Sequence, residues 1–268
     1  KFKTDLLKRL SEAKKLNKSL SFISGNHDTL RIANYLDDLA LRQAYVFLLT
    51  MPGVPFIYAG DEIGTHSKPI PSIEGGFQRT GTRMPMRFDS TKNAGFSTAN
   101  KTFLPTNEDD STVEEMEKDP TSLLHFIQKL IEIRNKESVL TSDEFELLDG
   151  NVLSYRRGNI TVYINITNDI QTIQSEEKEI LIASGSFKQD GGKIALSPNE
   201  FRSPKPKLIE TCSLPSLLKS SFTWTFAYAL SATPAACSRS STYSCRVFFL
   251  YLSSPIAYRI LRRSSILL

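Results

Sequence analysis

Two short polar clusters in this chain place chemistry-bearing residue types at the ends of apolar runs. Asn26-His27-Asp28 follows the run Leu20 to Ile23, and Asp61-Glu62 follows Val54 to Tyr58. An imidazole beside a carboxylate suits hydrogen bonding to a hydroxyl-rich ligand, and a fixed carboxylate steadies positive charge that develops in a transition state. Taken alone, the pair reads as readily as a turn. An Asp after a strand, followed by Thr29, is a common cap, and a lone His is most often a surface or core residue. Asp61 and Glu62 are an unsuitable acid and nucleophile pair, because sequence neighbours face different directions, so both are expected to be structural. Arg83 adds a guanidinium that either makes bidentate contacts to ligand hydroxyls or steadies a carboxylate, with a plain loop ion pair as the equal alternative. Arg31 is expected to be a scaffold residue of the first cluster.

The elements that must hold these residues follow from periodicity. Thr4 to Asn17 carries Leu6, Leu7, Leu10 and Ala13 among lysines, which predicts an amphipathic helix. Leu20 to Ile23 reads as a buried strand. Asp37-Asp38 offers a cap and favourable charge to a helix that continues through Leu41, Ala44, Tyr45, Leu48 and Leu49 until Pro52-Gly53 stops it, and Val54 to Tyr58 is the next buried strand. Strand, helix and strand with uniformly apolar strands is the pattern of a parallel sheet covered by helices, whose chemistry sits at the carboxyl ends of the strands. Both polar clusters lie there.

A long polar segment runs from Thr65 to about Lys118, a length that implies function or short elements of its own. Asp119-Pro120 then predicts the start of a helix with Leu123, Phe126, Ile127, Leu130, Ile131 and Arg134 on one face. Beyond Thr141 the period changes to two. Phe145 to Leu148, Val152 to Tyr155, Ile160 to Ile166, Glu179 to Ala183 and Ile194 to Leu196 are short strand candidates, separated by Asp149-Gly-Asn, Arg157-Gly-Asn and Asp190-Gly-Gly turns. The sequons at Asn159 and Asn165 are a pattern short enough to arise by chance.

Composition excludes more than it suggests. Lysine and arginine exceed aspartate and glutamate by 33 to 29, yet no acidic residue follows Glu210, while Lys219, Arg239, Arg246, Arg259, Arg262 and Arg263 do. Removing those six from the net +4 leaves −2 over the first 210 residues, so the basic balance belongs to the tail and implies no nucleic-acid partner. Cys212, Cys237 and Cys245 also lie in that tail, which leaves the body without a thiolate metal site or thiol nucleophile. His27, His66 and His125 lack metal-ligand spacing, and no stretch reaches the roughly 18 apolar residues of a membrane span. The Ser-rich segment 202–268 has no sustained period, and we expect it to be irregular, as a segment translated out of frame or past a disrupted gene end would be.

Phe22-Ile-Ser-Gly-Asn-His-Asp28, Gly53-Val-Pro-Phe-Ile-Tyr-Ala-Gly-Asp-Glu-Ile-Gly64, Arg79-Thr-Gly-Thr-Arg-Met-Pro-Met86 and Asn93-Ala-Gly-Phe-Ser97 occur in this order. Over about residues 17–140 this resembles the α-amylase superfamily of glycoside hydrolases (family 13), in its α-glucosidase and oligo-1,6-glucosidase-like branch, and more weakly so to about Phe201. The resemblance implies an α/β fold: the carboxy-terminal part of a (β/α)8 TIM barrel over 1–140, its seventh strand ending at Asn26-His27-Asp28 and its eighth running into Gly53 to Gly64. A small all-β sandwich domain over 141–201 would follow. It implies that Asp28 is the transition-state-stabilising carboxylate, that His27 hydrogen-bonds the same sugar ring, and that Asn26 and Arg83 are substrate-binding. The substrate implied is an α-linked gluco-oligosaccharide, with no cofactor or metal from these residues; any calcium would be held by upstream parts.

A retaining mechanism also needs a nucleophile and a general acid roughly 5 Å apart. The resemblance places both on earlier strands, whereas the residues before Asn26 include only Asp5 and Glu12, within a helical pattern. The chain alone is therefore expected to be inactive. Alternatives within the resemblance are a trehalose synthase-like isomerase or transglycosylase, and a noncatalytic relative that keeps the fold. Arg87-Phe88-Asp89 stands where relatives have Gln-Trp-Asp, and Met84 where they have a small residue, so altered sugar stacking is expected.

Overall fold

The computed structural model describes residues 2–71, 79–175, 179–184, 187–190, 192–196 and 227–228. Helix α1 (Phe2–Lys15) buries Leu6 and Ala13, and it carries Asp5 in its first turn with Lys14 and Lys15 in its last, both favourable to the helix dipole. Asn17, at φ +51°, turns the chain into β1 (Leu20–Ile23). Helix α2 (Asp38–Thr50) starts as its acidic pair predicts, with the Asp37 carboxylate accepting from the Ala40 amide at 2.8 Å. Strand β2 (Val54–Phe56) then runs parallel to β1, Ser21 opposite Val54 and Ile23 opposite Phe56. Parallel strands put their carboxyl ends on one side, which brings the segments after Ile23 and after Phe56 together. Gly53 makes the approach possible: its φ is +113°, and a Cβ there would stand 2.3 Å from the Leu20 carbonyl oxygen.

The second strand is shorter than the expected Val54 to Tyr58. Ser24 Oγ accepts the Tyr58 amide at 2.9 Å, so a side chain takes over where the ladder would continue. Val54 is exposed rather than buried. A 3-10 turn, Asp61–Ile63, precedes the long polar segment, which does hold short elements of its own, the 3-10 turns Thr80–Arg83 and Lys92–Gly95 and helix α3 (Val113–Lys118), which begins with a full capping box between Thr112 and Glu115. Helix α4 (Leu123–Lys136) is capped by Ser122 and not by Asp119-Pro120. Asp119 instead closes a turn onto the Thr121 amide and hydroxyl, at 2.8 and 2.7 Å.

Two antiparallel sheets follow. The first is β3 (Glu146–Leu148), β4 (Leu153–Arg157) and β5 (Ile160–Ile164), in that order, with Arg157 opposite Ile160 across the Gly158-Asn159 turn. The second has the order β6 (Gln171–Gln174), β8 (Lys193–Leu196), β7 (Phe187–Asp190). The expected strand from Glu179 to Ala183 is absent, since residues 179–184 form no ladder. Within that run Ile182, half-buried, packs on the main core, while Ile180 and Ala183 are exposed. Strand β6 takes the place beside β8; its polar Gln-Thr-Ile-Gln sequence gave no apolar alternation by which to recognise it. Asn165 is buried and donates to the carbonyls of Asp169 at 2.8 Å and Leu196 at 3.3 Å, so it joins the two sheets and is engaged internally rather than offered as a sequon. Of the tail at 202–268, only β9 (Ala227–Tyr228) lies among the described residues, antiparallel to β1.

One apolar core crosses the expected boundary at residue 140. Leu6, Phe22, Leu41, Leu48, Leu130, Tyr155 and Val162 belong to the same buried cluster. Two arginines tighten that junction. Arg134 donates to the carbonyls of Leu49, Met51 and Gly53 at 2.7 to 3.1 Å. Arg157, fully enclosed, donates to those of Thr50, Val139, Leu140, Ser142 and Glu144. Both cap the end of α2, where helix carbonyls lack partners and the dipole favours a cation. Burial pushes the Arg157 guanidinium down to about 10, with the charge of Arg134 acting in the same direction.

Candidate functional site

Beyond Ile23 the chain enters a loop that is tied inward before it turns outward. Ser24 Oγ donates to Asp61 Oδ2 at 2.6 Å, and the loop passes close enough that a Cβ at Gly25 would lie 3.1 Å from the same oxygen. Asp61 Oδ1 meets Arg31 Nη1 at 2.8 Å, and both side chains are almost wholly buried. Arg31 also donates to the Ala59 carbonyl at 2.9 Å and lies over the Tyr58 ring at 4.6 Å. Arg31 is thus the scaffold residue its position implied, and Asp61 is structural. Burial pushes the Asp61 carboxyl up, against the opposing pull of Arg31 and of the Ser24 hydroxyl.

Within the loop, Asn26 Oδ1 accepts from the Asp28 amide at 2.8 Å and from the Thr29 hydroxyl at 3.4 Å, a turn that presents the next two side chains to solvent. The side-chain oxygen of Asn26, a residue expected to bind substrate, thus shapes the loop. His27 Nε2 and Asp28 Oδ2 stand 3.4 Å apart, both about half exposed. Asp28 Oδ1 accepts from Arg79 Nη1 at 2.7 Å and from Arg83 Nη2 at 3.2 Å, while Arg83 Nε donates to the His27 carbonyl at 3.1 Å. Partial desolvation pulls the Asp28 carboxyl upward. The Arg79 hydrogen bond, the charges of His27 and Arg79 and the Arg83 bond outweigh it and hold the group below the usual carboxylate range.

The structure therefore gathers His27, Asp28 and Arg83, and it adds Arg79, which sequence reasoning passed over. The signal was present: Arg79 and Arg83 flank the same 3-10 turn, Thr80–Arg83, four residues apart. That turn is fixed to the loop from below, because Thr82 Oγ1 donates to the Thr29 carbonyl at 2.9 Å and meets Ser67 Oγ at 3.0 Å. Ser67 Oγ in turn accepts the Arg31 amide at 3.1 Å. The result is an anion kept ionised, flanked by an imidazole and two cations, at the open end of two parallel strands. Such a group can bind hydroxyls and stabilise developing positive charge.

Two other readings change. Phe88 packs against the buried cluster of Ile63, Met86, Val113 and Leu124, so Phe in place of Trp alters core packing rather than an exposed sugar platform. Met84 is buried as well. A cavity of about 680 Å³ lies between α2, α4 and β5, lined by Val46, Ile133 and Val162 among others, and none of its lining belongs to the Asp28 loop. Among the described residues no group of three or more His, Cys, Asp or Glu side chains could hold a metal ion, and no helix is long and apolar enough to cross a membrane.

With the geometry in place, known proteins give it a context. A family model described as alpha amylase, catalytic domain, matches residues 1–143. The chain is 30% identical over 181 residues to a salivary alpha-glucosidase of Aedes aegypti, covering 59% of this chain and 31% of that protein. It is 32% identical over 143 residues to an amino acid transporter heavy chain of Mus musculus, covering 51% and 21%. A solved structure of a trehalulose synthase has the same fold over 66% of this chain and 41% of its own, with a TM-score of 0.56 and 23% identity. The chain spans less than half the length of each of these three proteins.

Proposed function

The chain belongs to the α-amylase catalytic-domain family, and from that premise we propose that it serves a retaining α-glucosidase acting on α-linked gluco-oligosaccharides. In this reading residues 1–140 are the last strands and helices of the (β/α)8 barrel and 141–201 a β-sandwich domain, while 202–268, apart from 227–228, lie outside the described residues. The observation that carries the reading is the Asp28 carboxylate, held ionised at a strand end by Arg79 and Arg83 with His27 beside it. Asp28 would stabilise the oxocarbenium-like transition state, and His27 would hydrogen-bond the same ring. Arg83 and Arg79 would orient Asp28 and meet substrate hydroxyls, with Asn26 shaping the loop.

The mechanism assigns no bond-breaking role to the other strand-end carboxylates. Asp61 is paired with Arg31, and Glu62 is buried with Gly60 N–H on its Oε2 at 2.6 Å, so neither is free to meet a sugar. We therefore propose that the 268-residue chain by itself turns over no α-glucoside.

The test uses the full-length protein with maltose, isomaltose and an aryl α-glucoside, following the anomer released by proton NMR. Turnover with retained configuration, and a fall in kcat of about a hundred- to a thousandfold in Asp28→Asn, is expected, as for loss of one preorganised electrostatic group. Unchanged kcat in Asp28→Asn would remove the assignment.

A further inference from the structure

The turn from Gly60 to Lys68 holds two titratable side chains, Glu62 and His66, for which the sugar-site reading has no use. Glu62 is buried, and the cation nearest to it, Arg31, is already paired with Asp61; Glu62 Oε2 accepts instead from the Gly60 amide at 2.6 Å. His66 is half exposed, with Nδ1 2.8 Å from Asp110 Oδ1. Asp110 Oδ2 also accepts the His66 amide at 3.0 Å and the Asn107 side-chain amide at 2.8 Å. The chain neighbours of these two groups, Asp61 before Glu62 and Ser67 after His66, make the bonds that fix the Asp28 loop. Asp61 holds Arg31 and Ser24, Ser67 holds the Arg31 amide and Thr82, and Ser67 exchanges two hydrogen bonds with Asn34 at 2.8 and 3.0 Å.

We propose that this turn is a pH-operated fastener for the loop that carries Asp28, closed while Glu62 is neutral and His66 cationic and loosened when both protons are lost. Loss of the Glu62 proton puts a second anion beside Asp61, where the cation that reaches it, Arg31, is already paired. Loss of the His66 proton removes the charge that faces Asp110. The charges that reach Glu62 are those of Asp61, which disfavours its ionisation, and Arg31, which favours it; His66 is faced by Asp110. The pairs Lys68–Asp109 and Arg87–Glu108 flank Asp110. From α2 and α4, which pack on the turn, Leu41 and Leu123 come close to Gly64 and bring no charge there.

The expected shifts agree in sign. Burial pushes Glu62 from 4.5 up to about 7, partly offset by the backbone amides of Glu62 and Gly60. The hydrogen bond to Asp110, against desolvation, raises His66 above 6.5. A group whose folded value is raised stabilises the fold fully below its unfolded value, and that stabilisation is lost as pH rises through the folded value. For Glu62 the window runs from 4.5 to about 7, and His66 extends it upward from 6.5.

The inference rests on the turn and stands apart from the sugar reading. Amide hydrogen exchange of the 268-residue chain at pH 6 and pH 8, corrected for intrinsic rates, tests it without substrate. Protection of the amides of Arg31 and of residues 60–67 should fall about tenfold or more between the two pH values, while the α4 amides hold theirs. Glu62→Gln and His66→Gln should each remove part of that fall and the double variant nearly all of it; His66→Gln, at a half-exposed site, keeps the test open should Glu62→Gln not fold. Protection that is flat in the parent chain, that falls equally in α4, or that falls undiminished in the variants that fold would overturn the proposal.

Discussion

Asp28 draws its charge environment from two guanidiniums on one oxygen, at 2.7 and 3.2 Å, and one imidazole on the other. Because these contacts hold the carboxyl below its ordinary 3.8, replacing Arg79 by Gln should raise its titration back toward that value. A carbon-13 carboxyl titration of the chain reads this directly, and an unmoved midpoint would assign the shift elsewhere. The sign matters for function: a lowered value keeps the anion intact until well into acid, so the site should not lose its charge at mildly acidic pH. At this scale the sequence was informative about type and blind to partners. His27 and Asp28 stood out as a pair at a strand end, and Arg83 as a cation of undecided role. Asn26 shows the limit, because the type of an Asn does not tell that its Oδ1 closes a turn on residues 28 and 29.

The carboxyl ends of β1 and β2 position the site, and their closeness depends on Gly53. Ala at that position would meet the Leu20 backbone at 2.3 Å while forced to φ +113°, so Gly53→Ala should cost at least about 2 kcal/mol in urea unfolding. An effect below about half that would mean the strands can slide apart cheaply. The far end of α2 makes a complementary case. Arg157→Met would take the guanidinium from the buried carbonyls of Thr50 and Leu140 and the part-buried one of Ser142, and a loss on the order of 3 kcal/mol is expected from the same measurement. Elements with strong periodicity, α1, α2 and α4, were legible because a helix of more than ten residues needs an apolar stripe. Strand β6 was not, because its four residues are mainly polar and pair through backbone alone.

At the scale of the molecule, the first antiparallel sheet shares its core with the parallel strands. Phe22 meets Phe47 at 6.0 Å, Phe47 meets Tyr155 at 6.3 Å, and Tyr155 shares a 2.6 Å hydrogen bond with Thr50. Residues 2–175 are therefore expected to unfold in one step, with far-ultraviolet circular dichroism and tyrosine signals coincident in denaturant. Two separated transitions would show that the boundary near residue 140 is also a boundary of cooperativity. The sequence by itself determined the order of α1, β1, α2, β2 and α4, the family and the strand-end position of His27 and Asp28, because run lengths, caps and turn residues act over a few neighbours. Tertiary structure alone decided the charge state of the site. Asp28 is bound by side chains 51 and 55 residues further along the chain, and Glu62 owes its raised value to burial, so both depend on distances and solvent exclusion that exist only once the chain has folded.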